Sequence, residues 1–402
     1  MSGAPVVTGI GVTAPTGLSP ADHWSNTISG RSGIRRVTRF DPTPYSRRLA
    51  GEVNGFDAED LLPSRLLRQT DRMTQWALVT ADRALADAGI VPADLDEYST
   101  GVVTASSAGG FEFGHRELQE LWSKGPAHVS AYQSFAWFYA VNTGQISIRH
   151  GTRGSGGVLV TGQPGGLDAV AQARRLLRGG LSVAITGGVD GSLSPWTWVA
   201  ELSGGQTSPC EDPGRAYLPF DVAADGHVPG EGGALFVLES EDSARARAAE
   251  VYGRVVGYGA TFDPPPESGR PPTLLRAAEL ALDDAGLGAA DVGVVFADAA
   301  AVPELDAAEA TALRTLFGDR GVPVTAPKTL TGRLAAGGAA LDMATALLSL
   351  RKGLVPPTAN VTRPVPEYGL DLVTEPRPLN TPTALVLARG RGGFNAVLLL
   401  TR

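Results

Sequence analysis

Ala84-Leu-Ala-Asp-Ala-Gly-Ile-Val-Pro-Ala-Asp-Leu95 returns as Ala281-Leu-Asp-Asp-Ala-Gly-Leu-Gly-Ala-Ala-Asp-Val292, and this recurrence decides the architecture. Each copy reads as the end of an amphipathic helix stopped at a glycine, Gly89 or Gly286, where the left-handed cap conformation suits a residue without Cβ. A strand follows each copy, Gly101-Val-Val-Thr-Ala-Ser106 and Gly293-Val-Val-Phe-Ala297. A second pair, Leu167 to Gly179 and Leu341 to Gly353, repeats another helix with a glycine stop in the same order. Two ordered copies of one supersecondary unit imply a duplicated fold. Further out, the apolar runs Val158-Leu-Val-Thr161, Ala234-Leu-Phe-Val-Leu238, Ala384-Leu-Val-Leu-Ala388 and Val397-Leu-Leu-Leu400 alternate with the helices, which predicts mostly buried sheets in an α/β layered fold. We divide the chain into halves 1–248 and 249–402.

The copies are offset by 197 residues in the first pair and 174 in the second, so the first half carries 23 extra residues between its two segments. The segment 107–145 holds them. It contains Phe111-Glu-Phe-Gly-His-Arg-Glu-Leu118 and Ser134-Phe-Ala-Trp-Phe-Tyr-Ala140, the densest aromatic stretch of the chain. Such a stretch suits an interface or a substrate wall, or else plugs an ordinary core.

The bulk numbers exclude several classes of function. A net charge of -8 with no basic run leaves nothing to neutralise phosphates, so no nucleic-acid role is expected. Cys210 is the only cysteine, which rules out an internal disulfide, and its acidic neighbours Glu211 and Asp212 favour an inert thiol. No stretch is long and apolar enough to span a bilayer, and the N-terminal run lacks the basic start of a signal peptide, so the expected compartment is the cytoplasm, without membrane contact. No residue spacing suggests a metal site.

Three ordered motifs carry a family resemblance. Thr8-Gly-Ile-Gly-Val12 through Pro15-Thr-Gly17, the run Pro219-Phe-Asp-Val-Ala-Ala-Asp-Gly-His-Val-Pro-Gly-Glu-Gly-Gly233, and Gly390-Arg-Gly-Gly-Phe-Asn395 together resemble the beta-ketoacyl synthases over essentially the whole chain. The resemblance implies the thiolase-like fold, a duplicated five-layer αβαβα arrangement with two mixed sheets. It also implies a cysteine nucleophile at a strand-to-helix turn and two histidines. Here Leu159-Val-Thr-Gly-Gln-Pro-Gly-Gly-Leu-Asp168 puts Gln163 at the nucleophile position, and an amide forms no acyl thioester. The first histidine pattern reads Ala297-Asp-Ala-Ala-Ala-Val-Pro-Glu-Leu-Asp-Ala-Ala-Glu309, with Asp298 in its place, and Lys328-Thr-Leu-Thr-Gly-Arg333 puts Arg333 at the second. The five histidines of the chain all fall outside these positions. Glu309 and Lys328 match non-nucleophilic family positions, and in a chain with three lysines we expect them to form a buried ion pair.

Loss of the catalytic groups on a kept scaffold resembles the chain length factor, or ketosynthase beta subunit, of type II polyketide synthases. That resemblance implies an obligate heterodimer with a cysteine-bearing ketosynthase alpha subunit and an acyl carrier protein whose phosphopantetheine works through the partner. No cofactor of the chain's own is implied. A growing polyketide chain would run in a tunnel that this subunit closes. The implied wall starts at Phe111. In a helix Phe111, Gly114 and Leu118 share one face, and Phe135, Trp137 and Trp196 are further candidates. The small Gly114 favours a long product, unless it only permits close packing. An alternative reading makes Gln163 part of a malonyl-carrier-protein decarboxylase, and Asp298 in place of a histidine weighs against it because a carboxylate repels developing enolate charge. Arg391, where the family pattern has a phenylalanine, is expected to pair with Asp298 or a nearby acid in the residual pocket.

Overall fold

The computed structural model describes residues 3–191 and 193–402, and its main strands repeat one pattern twice. In the first half β1 (Val6–Thr13), β2 (Thr100–Ala105), β3 (Gly156–Leu159), β4 (Val183–Asp190) and β5 (Gly232–Glu239) stand in the order β3-β2-β4-β5-β1. In the second, β6 (Gly253–Phe262), β7 (Val294–Phe296), β8 (Pro323–Thr325), β9 (Thr383–Arg389) and β10 (Phe394–Thr401) stand in the matching order β8-β7-β9-β10-β6. Directions match too. In each half the first three strands are parallel and the last three antiparallel. The two mixed sheets meet edge to edge at Val6 with Arg254 and Val7 with Gly253, which makes the hydrogen-bonded ladder continuous across the molecule. A two-residue strand, Asp371–Leu372, extends the β8 edge.

The quoted repeats close α1 (Arg72–Asp87) in the first half and α6 (Leu274–Ala285) in the second, each stopped by a left-handed glycine. The second repeat lies on α4 (Gly165–Arg178) and α8 (Ala336–Lys352). These two helices form the middle layer. Every residue from Ala336 to Leu350 is buried, and a Cβ on Gly166 would come within 2.9 Å of the Ala336 carbonyl and the Ala340 amide. The smallness of Gly166 therefore sets how closely α4 and α8 approach. With α1 and α3 (Val141–His150) over one sheet and α6 and α7 (Pro303–Phe317) over the other, the layers run αβαβα. All eight residues of β1, β4 and β5 are buried, as strands covered on both faces require.

The extra length of the first half takes a definite form. Between β7 and β8 only α7 intervenes, whereas between β2 and β3 the chain makes α2 (Phe111–Lys124), a short aromatic turn at Gln133–Ala136, and then α3. Asp71 ties this addition to the body, because its carboxylate accepts from Met73 N at the start of α1 and from Phe113 N at the start of α2 (2.8 and 2.7 Å). Burial, reinforced by Glu112, raises the Asp71 carboxyl to about 6.

Candidate functional site

Gln163 lies in the tight link between β3 and α4, just after Gly162 in the left-handed region (φ 67°). With the carboxamide oriented so that both its groups are satisfied, its nitrogen donates to Ala335 O (3.0 Å) and its oxygen accepts from Ala335 N (3.1 Å). Ala335 is itself strained, at φ 46°, and caps the N-terminus of α8. Gln163 thus clasps the entrance of the opposite central helix rather than its own. Pro164, the residue that caps α4, contributes no N–H there.

Asp298 and Arg333, which stand where the histidines are expected, face each other. The guanidinium donates to both carboxylate oxygens, the shortest contact being Arg333 Nη2 to Asp298 Oδ1 at 2.9 Å. It also donates to Asp298 O and Arg389 O, while Arg389 N donates to Asp298 Oδ1. Burial alone would raise the Asp298 carboxyl, but Arg333 and then Lys328 hold it below the ordinary carboxylate range. Burial would likewise lower Arg333, and Asp298 more than offsets it. The two substitutions neutralise each other. The expected partner Arg391 is not part of this pair; it is exposed, with its guanidinium against Gly204 at the end of α5 (Pro195–Ser203).

The ion pair expected between Glu309 and Lys328 is not formed. Lys328 Nζ instead contacts Asp342 Oδ2 on α8 at 2.8 Å and donates to Asp298 O at 3.0 Å. Glu309, on α7, accepts from the amides of Asp298 and Ala299 (2.7 and 2.9 Å), and Asp306 one turn earlier accepts from Phe220 N and Ala301 N. The physical reason lies in the backbone. Ala299 and Ala301 hold φ near +50°, which strains any residue with a Cβ, and the two buried carboxylates over-determine the loop by taking its amides. Burial first, and then the neighbouring Glu309 and Asp298 charges, raise the Asp306 carboxyl to about 7.

Gln163, Asp298 and Arg333 line a cavity of about 520 Å³ together with Phe111, Trp198, Leu305 and His227. His227 was not legible as a site residue. Its only sequence signal is that it stands in Asp225-Gly-His227 where the family pattern reads D-G-F. Nothing in this geometry supports the decarboxylase alternative, since Gln163 spends both amide groups on Ala335 and a carboxylate occupies the place of an enolate-stabilising histidine. Among the described residues no cluster of side chains has the makings of a metal site.

The aromatic wall lies beside this cavity. Phe111 and Trp196 pack with ring centroids 5.0 Å apart. Gly114 sits behind them, and a Cβ there would lie 3.5 Å from Trp137 Cβ and 4.0 Å from Trp196 Cζ3. Leu118, Trp137 and Trp196 remain 38%, 41% and 45% exposed. Phe135 departs from the group. It packs against the core cluster under α1 and edge-on to Tyr132, because it precedes Trp137 by two residues in a helical turn and so points to another side.

A duplicated αβαβα scaffold whose expected nucleophile and histidine positions converge on one cavity defines the condensing-enzyme class, here with Gln163, Asp298 and Arg333 at those positions. The N-terminal domain of the beta-ketoacyl synthases matches residues 5–244 and their C-terminal domain residues 252–362, and the chain belongs to that family. The tetracenomycin polyketide synthase ketoacyl synthase beta subunit of Streptomyces glaucescens is 60% identical over 400 residues, covering 99% of this chain and 98% of the relative. The actinorhodin polyketide putative beta-ketoacyl synthase 2 of Streptomyces coelicolor is 57% identical, with the same coverage. Among solved structures, the ishigamide ketosynthase/chain length factor matches 100% of this chain and 99% of its own at 25% identity and a TM-score of 0.90. A type II acyl-carrier protein complex with its ketosynthase, bound to the hexaketide, matches both chains fully at 26% identity and a TM-score of 0.89.

Proposed function

We propose that this chain is the chain length factor of a type II polyketide synthase: it pairs with an active ketosynthase and shapes the tunnel that sets polyketide length, favouring a long chain. The observation that carries this reading is the state of the three catalytic positions, which are replaced together and hydrogen-bonded to satisfaction next to an aromatic wall the chain leaves open. Chemistry then comes from the partner's cysteine, with the carrier protein's phosphopantetheine delivering substrate to it, and this subunit needs no cofactor of its own.

The surface supports a partner of similar build. β3 is a sheet edge, and Ile148 and Val160 on either side of it are 75% and 45% exposed. Unprotected strand edges flanked by apolar side chains are hazards unless another chain covers them. Trp137, Phe138, Tyr139 and Trp196 extend the same need for cover. No helix among the described residues is long and apolar enough to cross a membrane.

The test is reconstitution of the pair with carrier protein and malonyl donor, read by product mass. Replacing the partner's cysteine by alanine is expected to abolish product, while Gln163→Ala here leaves it. Product that survives the first change and vanishes with the second would overturn the assignment.

A further inference from the structure

We propose that Asp71 is a positioning residue for the aromatic wall: its one carboxylate caps two helices and so fixes where Phe111 and Gly114 stand. The inference rests on the length-setting reading above and adds to it the group that holds the wall in place. The need for such a group begins with the sequence. A helix leaves its first N–H groups without intrahelical partners, and a side-chain oxygen on the residue before the first turn ordinarily takes one of them. Gly110 precedes α2 and has no side chain to give, and a Cβ there would come within 1.9 Å of Ala136 O. Packing therefore excludes a capping side chain at that position. The cap has to come from elsewhere.

Asp71 supplies it. The residue stands immediately before α1, where Oδ1 accepts from Met73 N at 2.8 Å as an N-cap, and its other oxygen, Oδ2, accepts from Phe113 N at 2.7 Å. Within the first turn of α2, Phe111 N donates to Gly109 O and Gly114 N to Gly110 O, both at 3.0 Å, so those two amides are met locally and Phe113 N is met from outside. Asp71 is only 3% exposed, which leaves water little room to take its place. Its negative charge also sits at the positive ends of two helix dipoles at once. Arg72 reaches Glu112 through two contacts of 3.2 Å beside this cap, but that pair is open to solvent and correspondingly weaker. The turn so fixed carries Phe111, which packs on Trp196, and Gly114, which faces Trp137. Loss of the cap at Phe113 N would let this turn fray. The wall would then lose its definite shape while keeping every one of its side chains.

Asp71→Ser in the full chain, reconstituted with the partner ketosynthase, carrier protein and malonyl donor, tests the role through the distribution of product masses. Serine keeps an oxygen for Met73 N, and with it the cap of α1, but is too short to reach Phe113 N. Products one extender unit longer or shorter than the main one are expected to rise about fivefold relative to it, the ratio that one lost hydrogen bond sets, while co-purification and turnover stay close to those of the unmodified pair. Arg72→Met is expected to move the same ratio in the same direction and by less. Ser240→Ala, which uncaps the helix Glu241–Ala246, controls for lost stability alone and is expected to leave the ratio unchanged. An unchanged distribution in Asp71→Ser, a pair that no longer forms, or an equal broadening in Ser240→Ala would each overturn the positioning role. Gly114→Phe, run alongside, separates the two readings. A shifted product there with an unchanged one in Asp71→Ser sinks the positioning role alone, whereas no shift in either sinks the wall as well.

Discussion

The floor of the cavity and the wall beside it are built on opposite terms. On the floor, Asp298 and Arg333 are charged side chains taken out of water, backed by the buried ionisable groups Lys328, Asp342, Asp306 and Glu309, and the partners of all six lie within the chain. On the wall, Leu118, Trp137 and Trp196 are apolar side chains left substantially in water. The first arrangement is complete within the chain, and the second is left exposed. On the proposed reading, the finished part of this family scaffold carries no nucleophile, and the exposed part is the one a partner would cover.

The comparison breaks first, and most visibly, at the ion pair. Arg333→Met leaves a carboxylate buried without its counter-ion and is expected to destabilise the chain by about 3–5 kcal/mol in urea denaturation, whereas Asp298→Leu combined with Arg333→Met recovers most of the loss. Equal effects of the single and double variants would mean that the pair is not a unit. Next in size is a pH effect at Asp306. Its carboxyl is raised above the unfolded value, so the folded state holds its proton longer. This contribution favours the fold below about pH 4 and is lost as pH rises towards about 7. Asp306→Asn is expected to remove up to about 1.4 kcal/mol per pH unit from the stability slope across that window. An unchanged slope would show that Asp306 titrates as an ordinary carboxyl.

Smaller effects sharpen the contrast. Gln163→Ala removes two hydrogen bonds to Ala335 and is expected to cost roughly 1–2 kcal/mol by denaturant titration. On the wall, Leu118→Asp is expected to shift the stability of the isolated chain by less than about 0.5 kcal/mol, yet weaken co-purification with the ketosynthase partner. A large stability loss from Leu118→Asp would place that residue in the core instead.

The sequence revealed the scaffold well because duplication is a one-dimensional signal: Gly89 and Gly286 end equivalent helices whether or not the fold is known. The expected replacement of the triad rests on Gln163, Asp298 and Arg333 standing inside motifs with fixed spacing, and the fold brings the three to one cavity. Partner choice among buried charges was less accessible. Lys328 pairs with Asp342 because the start of α8 is brought beside the turn that carries Lys328, while Glu309 is taken by the strained peptide links at Asp298 and Ala299. No spacing rule encodes those choices. Nothing marks His227 apart from one departure in a motif, and aromaticity alone groups Phe135 with the wall, whereas the local turn packs it, half-buried, against the cluster under α1.

The most direct test of the central claim is the product mass from the reconstituted pair carrying Gly114→Phe. A phenyl ring at Gly114 enters the space bounded by Trp137 and Trp196. The account predicts a shorter polyketide at a rate of condensation close to that of the unmodified pair. A product of unchanged length would contradict a length-setting wall at this position, and a pair that no longer condenses at all would contradict the separation of shape from chemistry.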